Sequence, residues 1–205
     1  MGACITWLKS SSYESLLNFN MVGAAGHSQG GGGTIATGTG KYVPIAATAA
    51  MLPYVRSMFG HNSEWNSQQT SPMLLMGSTG DMFVRKSSNS DVVYADNNHY
   101  VFYAVVDGTG HFDVMGDFDV FRGIITAWFL YQLTGDTSSA PLFTGTSDTC
   151  GMCKTSGWDV HIKDQNGDGD GDGDGDGDGD GDGDCMSCTS SSCCQAFGCT
   201  GYMYS

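Results

Sequence analysis

Apolar residues along this chain come in short runs, and most of those runs stop at a glycine or an acidic residue. "NMVGAAG" (20–26), "SPMLLMGSTGD" (71–81) and "HYVFYAVVDGTGH" (99–111) follow this rule, and "YVPIAATAAML" (42–52) stops at a proline. Runs this short, bounded by turn residues and rich in small or β-branched side chains, read as buried strands. Between the first two, "QGGGGTIATGTG" (29–40) opens a helix. That helix should be weak or short, because each interior glycine costs about 1 kcal/mol relative to alanine. "DFDVFRGIITAWFLYQLTGD" (117–136) has a different rhythm: Phe121, Ile124, Ile125, Trp128, Phe129 and Leu133 recur at threes and fours. This is the apolar stripe of an amphipathic helix laid on a sheet. Strands alternating with helical patterns predict an α/β fold with a largely parallel sheet.

The pattern breaks down after about residue 140. Residues 164–184 are a Gly-Asp tract with no apolar side chain, expected to be disordered, and residues 185–205 form a Cys-rich tail. Its Gly-Asp repeat, residues 167–184, also accounts for the acidity: without those nine aspartates the net charge of −14 would be −5. With eight Lys+Arg in the whole chain and no basic stripe, nucleic acid is an unsuitable partner. No apolar run approaches the roughly eighteen residues of a membrane span. "DQNGDGD" begins like a calcium loop, with oxygens at Asp164, Asn166, Asp168 and Asp170, but Gly175 stands where the bidentate Glu is needed. Weak calcium attraction by the tract is the most this predicts. Seven of the eight cysteines follow residue 149, which suggests disulfides in an oxidising, extracellular compartment. The opening residues are not a secretory signal. "MGACIT" does match the myristoylation pattern, with Cys4 available for a second acyl chain, as six residues readily do by chance.

The chemistry begins at "GHSQG" (26–30), a serine held between glycines after a strand-like run and before a helix. Serine becomes a nucleophile only when a base takes its proton and a third group orients that base. A sharp strand-to-helix turn presents such a serine, and glycines at both flanks, here Gly26 and Gly30, are expected to avoid collision there. In this arrangement the partners follow in the order Ser, acid, His. Asp81 ends the run "MLLMGSTGD" and His111 ends "VFYAVVDGTGH", so both fall at the C-terminal ends of strands. Asp107 is a rival acid within the histidine's own segment. His27 reads as structural, while His61, His99 and His161 read as solvent-facing.

"GHSQGGGG", "PMLLMGSTGD", "GTGHFD" and "ITAWFLYQLTGD" together resemble the α/β-hydrolase fold. Within it they resemble the cutinase-like and dienelactone-hydrolase-like esterases, a group that includes polyester (polyethylene terephthalate) hydrolases and lipases. The resemblance spans roughly residues 5–160. It implies Ser28 as nucleophile, Asp81 as acid, His111 as base and the amide of Gln29 as one oxyanion-hole donor, with no metal and no organic cofactor. It makes the substrate a small-molecule or polymeric ester. "CGMCKTSGWDVHIK" (150–163) resembles the family's closing segment, in which Cys150 and Cys153 either pair or hold a metal. Trp65, the one aromatic of the polar loop "HNSEWNSQQ", is either a substrate platform or a loop anchor.

The second oxyanion donor of such enzymes comes from a loop upstream of the elbow. Only 27 residues precede Ser28, fewer than one βαβ unit takes. Residues 1–163 are therefore expected to be the C-terminal half of a catalytic domain. Two further readings stand beside the esterase: a catalytically inactive half-domain serving as a structural or binding module, and a hydrolase-fold relative with peptidase or thioesterase chemistry.

Overall fold

A computed structural model describes residues 2–115, 120–146 and 149–164. The Gly-Asp tract beyond Asp164 and the Cys-rich tail lie outside the described residues. In chain order the main elements are α1 (Gly2–Lys9), β1 (Gly23–His27), α2 (Gln29–Gly38), β2 (Ala47–Met51), α3 (Glu64–Ser67) and β3 (Met73–Ser78). There follow α4 (Ser90–Asp96), β4 (Val101–Val106), α5 (Phe121–Phe129) and β5 (Trp158–Lys163), and α5 runs on into a π-helical turn, Leu130–Thr134.

The five strands form one sheet in the order β1-β2-β3-β4-β5. The first four are parallel, and β5 returns antiparallel to β4. Every residue of β2, β3 and β4 is buried, as expected of strands covered on both faces. Successive side chains divide between two cores. Met73, Leu75, Val101, Tyr103 and Val105 pack with Ile35 of α2 and Val93 of α4 on one face. Leu74, Met76, Phe102, Ala104 and Val106 pack with Phe121, Ile124 and Trp128 of α5 on the other. The Trp128 indole N–H, deep in that second core, donates to the Thr48 carbonyl at 2.9 Å, so a large ring is buried with its polar atom satisfied.

β1 and β2 are built almost wholly from Gly, Ala and Thr, and the helices lie close to them for that reason. A Cβ on Gly23 would stand 2.6 Å from the Phe129 ring. A smaller cluster of Ile5, Ala24, Val43 and Ile45 seats α1 beside β1. β1 starts three residues later than the apolar run suggests, because its pairing with β2 begins at Gly23 opposite Ala47. The stretch read as a polar loop around Trp65 instead contains α3, one helical turn. Among the described residues β1 and β5 are the sheet's edges, and no helix is long and apolar enough to cross a membrane.

All four parallel strands point their C-terminal ends the same way. In open parallel sheets that end collects the loops that bind and react. Ser28, Asp81 and His111 come after β1, β3 and β4 respectively, so the topology alone carries them to one rim.

Candidate active site

Ser28 sits between the last residue of β1 and the first of α2, with φ 57° and ψ −120°. A side chain in that region costs on the order of 1–3 kcal/mol and persists only where the surroundings over-determine it. Three main-chain hydrogen bonds do so here. The Ser28 amide donates to the Met51 carbonyl (3.0 Å), and the Ser28 carbonyl accepts from the amides of Gly32 (3.1 Å) and Tyr54 (2.8 Å). A second residue bent the same way, Leu52 at φ 40°, lies fully buried in the adjoining β2 loop.

The glycines around the serine do not all serve the turn. A Cβ on Gly26 would collide with the Gly30 carbonyl, and one on Gly32 with the Tyr54 carbonyl; on Gly31 it would lie 2.9 Å from Pro53 Cα. A Cβ on Gly30, however, would meet nothing within 4 Å. The expectation that both flanking glycines are sterically required is therefore corrected: Gly26 is required, and the second need falls on Gly31 and Gly32, where α2 crosses the β2 loop. Gly32→Ala should lower stability by about 1–3 kcal/mol through overpacking. Gly33→Ala, also open to solvent, should raise it by about 0.5–1 kcal/mol. Thermal melts of the two variants should move in opposite directions.

Ser28 Oγ lies 2.8 Å from His111 Nε2, and His111 Nδ1 lies 2.6 Å from Asp81 Oδ2. A carboxylate only accepts, so Nδ1 carries the proton and Nε2 presents its lone pair to the serine hydroxyl. Asp81 is almost fully buried, and its other oxygen accepts the amides of Phe83 (2.9 Å) and Val84 (2.7 Å). These bonds hold the carboxylate in one orientation and stabilise its charge away from water. Gln29 is the first residue of α2, so its N–H is a first-turn amide with no carbonyl of the helix to take it.

The two loops that carry the acid and the histidine are joined to each other. The Ser78 hydroxyl donates to the Thr109 carbonyl and accepts from the Gly80 amide. The Thr79 hydroxyl donates to Asp107 and accepts from the Gly108 amide at 3.0 Å. A Cβ on Gly80 would strike the Gly108 backbone. Asp107, the rival acid, thus joins the loops, and the carboxylate bonded to the imidazole is that of Asp81. The bonds that cross between the two segments could not be read from the sequence, since each joins residues about thirty positions apart.

A rim of exposed apolar side chains flanks the histidine. Phe83 and Phe112 are 74% and 57% exposed, and their rings meet edge to face at 5.0 Å. Met82, next to Phe83 in the chain, and Met115, four residues after His111, are similarly open, at 69% and 67%. Apolar side chains gathered at one place on a surface mark a contact for something apolar. Trp65 packs partly against the α2 core and, with Gln29, Tyr54 and His61, lines a cleft of about 260 Å³ beside the elbow helix. A larger cavity of about 580 Å³, lined by Pro72, Tyr100 and Phe143, lies at the other end of the strands and includes none of the three residues.

The remaining histidines are not simply solvent-facing. His61 Nε2 donates to Asn66 Oδ1 (3.0 Å), and Asn66 in turn donates to Asp96 (3.1 Å). His99 Nδ1 accepts the Tyr100 amide at 2.8 Å. His161 pairs with Asp159, and its ring, with the side chain 42% exposed, packs against Tyr94 and Tyr103. Burial holds the pKa of His61 and His99 below the ordinary 6.5. Burial, and then the neighbouring His111, do the same for His27. A histidine depressed in the folded state takes up its proton more readily when unfolded. Its stabilising contribution is therefore complete above about pH 6.5 and is lost as the pH falls below that value. The melting temperature should accordingly drop between about pH 7 and pH 5; a flat or rising profile would contradict these placements.

Cys150 and Cys153 form a disulfide, with Cα atoms 5.2 Å apart, and this decides between pairing and metal binding. Neither a protein-family model nor a curated protein matches this chain.

Proposed function

We propose that this chain is a serine carboxylic-ester hydrolase of the α/β-hydrolase type, akin to the cutinase-like and dienelactone-hydrolase-like esterases. The observation that carries the reading is the unbroken run from Ser28 Oγ through His111 to Asp81, with the serine held at positive φ between a strand and a helix. In the reaction Ser28 Oγ attacks the ester carbonyl carbon as His111 Nε2 takes its proton. The charge that develops on the carbonyl oxygen faces the Gln29 amide. Collapse of the tetrahedral species breaks the bond to the alcohol, which leaves with the proton from Nε2. Water, deprotonated at the same nitrogen, then releases the acid and restores the serine. Asp81 stabilises the imidazolium in both halves.

The exposed rim of Phe83, Phe112, Met82 and Met115 favours an ester with an apolar acyl or alcohol part, small or polymeric. The Cys150–Cys153 disulfide supports an oxidising, extracellular setting. The decisive experiment incubates the full chain with a fluorophosphonate probe and, separately, with p-nitrophenyl butyrate. A covalent adduct on Ser28 alone, with release of p-nitrophenol, is the expected result. An unlabelled Ser28 in folded protein would overturn the reading.

A further inference from the structure

The cleft beside the elbow helix starts at the residue that follows the nucleophile. α2 supplies Gln29, Gly32, Gly33 and Ala36 to its lining, and the segment after β2 supplies Tyr54, His61 and Trp65. Spacings of three and four put the α2 residues on one helix face, which advances about 10 Å from Gln29 to Ala36 and away from Ser28. The two sides are tied together at both ends. The Tyr54 amide donates to the Ser28 carbonyl at 2.8 Å, so the near end is bonded to the nucleophile's own residue. At the far end the buried Gln69 side-chain amide donates to the carbonyls of Ile35 (2.9 Å) and Trp65 (2.6 Å), which joins α2 to α3. His61 and Trp65 meet edge to face with centroids 5.3 Å apart, and Asn66 holds the His61 ring. None of these lining residues is charged at neutral pH, since burial lowers the pKa of His61. At about 260 Å³ the cleft is smaller than the roughly 300–1,000 Å³ of sites for drug-sized ligands, so it suits one slender apolar group.

The chemistry decides which part of an ester lies there. The alcohol leaves with a proton from His111 Nε2, so its oxygen must come within hydrogen-bond reach of that ring. The side chains packed around the ring include Phe83 and Phe112 of the exposed rim. No residue lining the cleft comes from the loops that carry Asp81 and His111. The acyl group stays bonded to Ser28 Oγ after the alcohol has gone. It therefore needs a place off the path of the departing alcohol and the incoming water. We propose that this cleft is the acyl site, that it takes a straight aliphatic chain, and that Gly33 and Ala36 set the chain length. A Cβ on Gly33 would meet nothing within 4 Å, so the lack of a side chain there is what keeps the space open. The proposal rests on the esterase reading of the triad, although occupancy of the cleft can be observed without turnover.

The test measures kcat/KM of the full chain on p-nitrophenyl acetate, butyrate, hexanoate and octanoate, and on a second series that varies the alcohol of a butyrate ester. The parent should gain about fourfold for each added methylene until the cleft is full. Gly33→Leu should lower the hexanoate-to-acetate ratio by about tenfold or more, and Gly33→Ala by less. Ala36→Leu, at the far end, should lower the octanoate-to-butyrate ratio more than the butyrate-to-acetate ratio. A variant that folds poorly loses all esters together, so the ratios report on the cleft alone. Parent-like ratios in folded Gly33→Leu would overturn the proposal, and so would a change confined to the alcohol series. Titration with hexanamide, a poorly reactive amide, should move the Gly33 amide and Trp65 indole N–H resonances of the parent, and the indole resonance should stay in place in Gly33→Leu. If the parent shows neither hydrolysis nor labelling by a fluorophosphonate, the esterase reading falls. The cleft then stands as an alkyl-chain site if those resonances move, and falls with that reading if they do not.

Discussion

Ser28→Ala is expected to reduce ester hydrolysis by about 10⁴-fold or more while leaving the fold intact. The substitution removes a single oxygen. The three hydrogen bonds that force the turn are made by the main chain of residues 28, 32, 51 and 54, and alanine keeps all of them. Alanine also carries the same Cβ at the same positive φ, so the strain of the turn is neither relieved nor increased. His111 Nε2 loses a donor in a partly buried site, which costs about 1 kcal/mol and shifts the melting temperature by only a few degrees. On the proposed mechanism the three residues act as a unit, so the loss in rate should match the loss from removing His111, and the double variant should be no worse than either single one. Steady-state rates on p-nitrophenyl butyrate, read beside a thermal melt, separate the chemical effect from the structural one. A folded variant that keeps a tenth of the parent rate would place the chemistry elsewhere.

The parts of this fold that were legible in the sequence are those where burial is one-sided or complete. "MLLM" and "VFYAVV" are apolar at every position because helices cover both faces of β3 and β4. A strand with one face in water would alternate instead, so a short unbroken apolar run points to cover on both sides. The stripe of α5 was equally plain, with Phe121, Ile124 and Trp128 all turned to the sheet. β1 was blurred. Gly23–His27 carries almost no apolar surface of its own, so its start is set by pairing with Ala47 rather than by its side chains. The single turn of α3 has no room for a period, and its polar letters resemble a loop.

The site was legible to the extent that chain order and strand ends constrain it. Ser28, Asp81 and His111 each follow a strand, and parallel strands deliver their ends to one rim whatever the loops do. Other features depend on contacts between residues distant in sequence. They include the bend at Leu52, the Thr79–Asp107 joint, the ring of His27 upon His111 and the open space beside Gly30. No spacing encodes them, because each arises only when two loops meet. The Cys-x-x-Cys spacing was equally silent between metal and disulfide until both sulfurs were placed.

Asp81→Asn is the sharper test of how the triad works, because it changes one proton and very little else. The Oδ1 of asparagine can still accept the amides of Phe83 and Val84, so the buried turn keeps its two acceptor contacts. The other position, 2.6 Å from His111 Nδ1, becomes an NH₂ group that can only donate. To meet it, His111 must turn Nδ1 into an acceptor and move its proton to Nε2. That proton then points at Ser28 Oγ, and the ring can no longer take the serine's own. A loss of about 10⁴-fold in kcat is expected, with a melting temperature close to the parent's and labelling by a fluorophosphonate slowed in proportion. Asp81→Ala should behave differently. It strands the Phe83 and Val84 amides without an acceptor, at about 1–3 kcal/mol for each one left buried, so stability falls along with rate. If Asp81→Asn held its rate to within tenfold of the parent, the carboxylate would not be orienting His111. The assignment of Asp81 as the acid would then be wrong, even with the 2.6 Å contact in place.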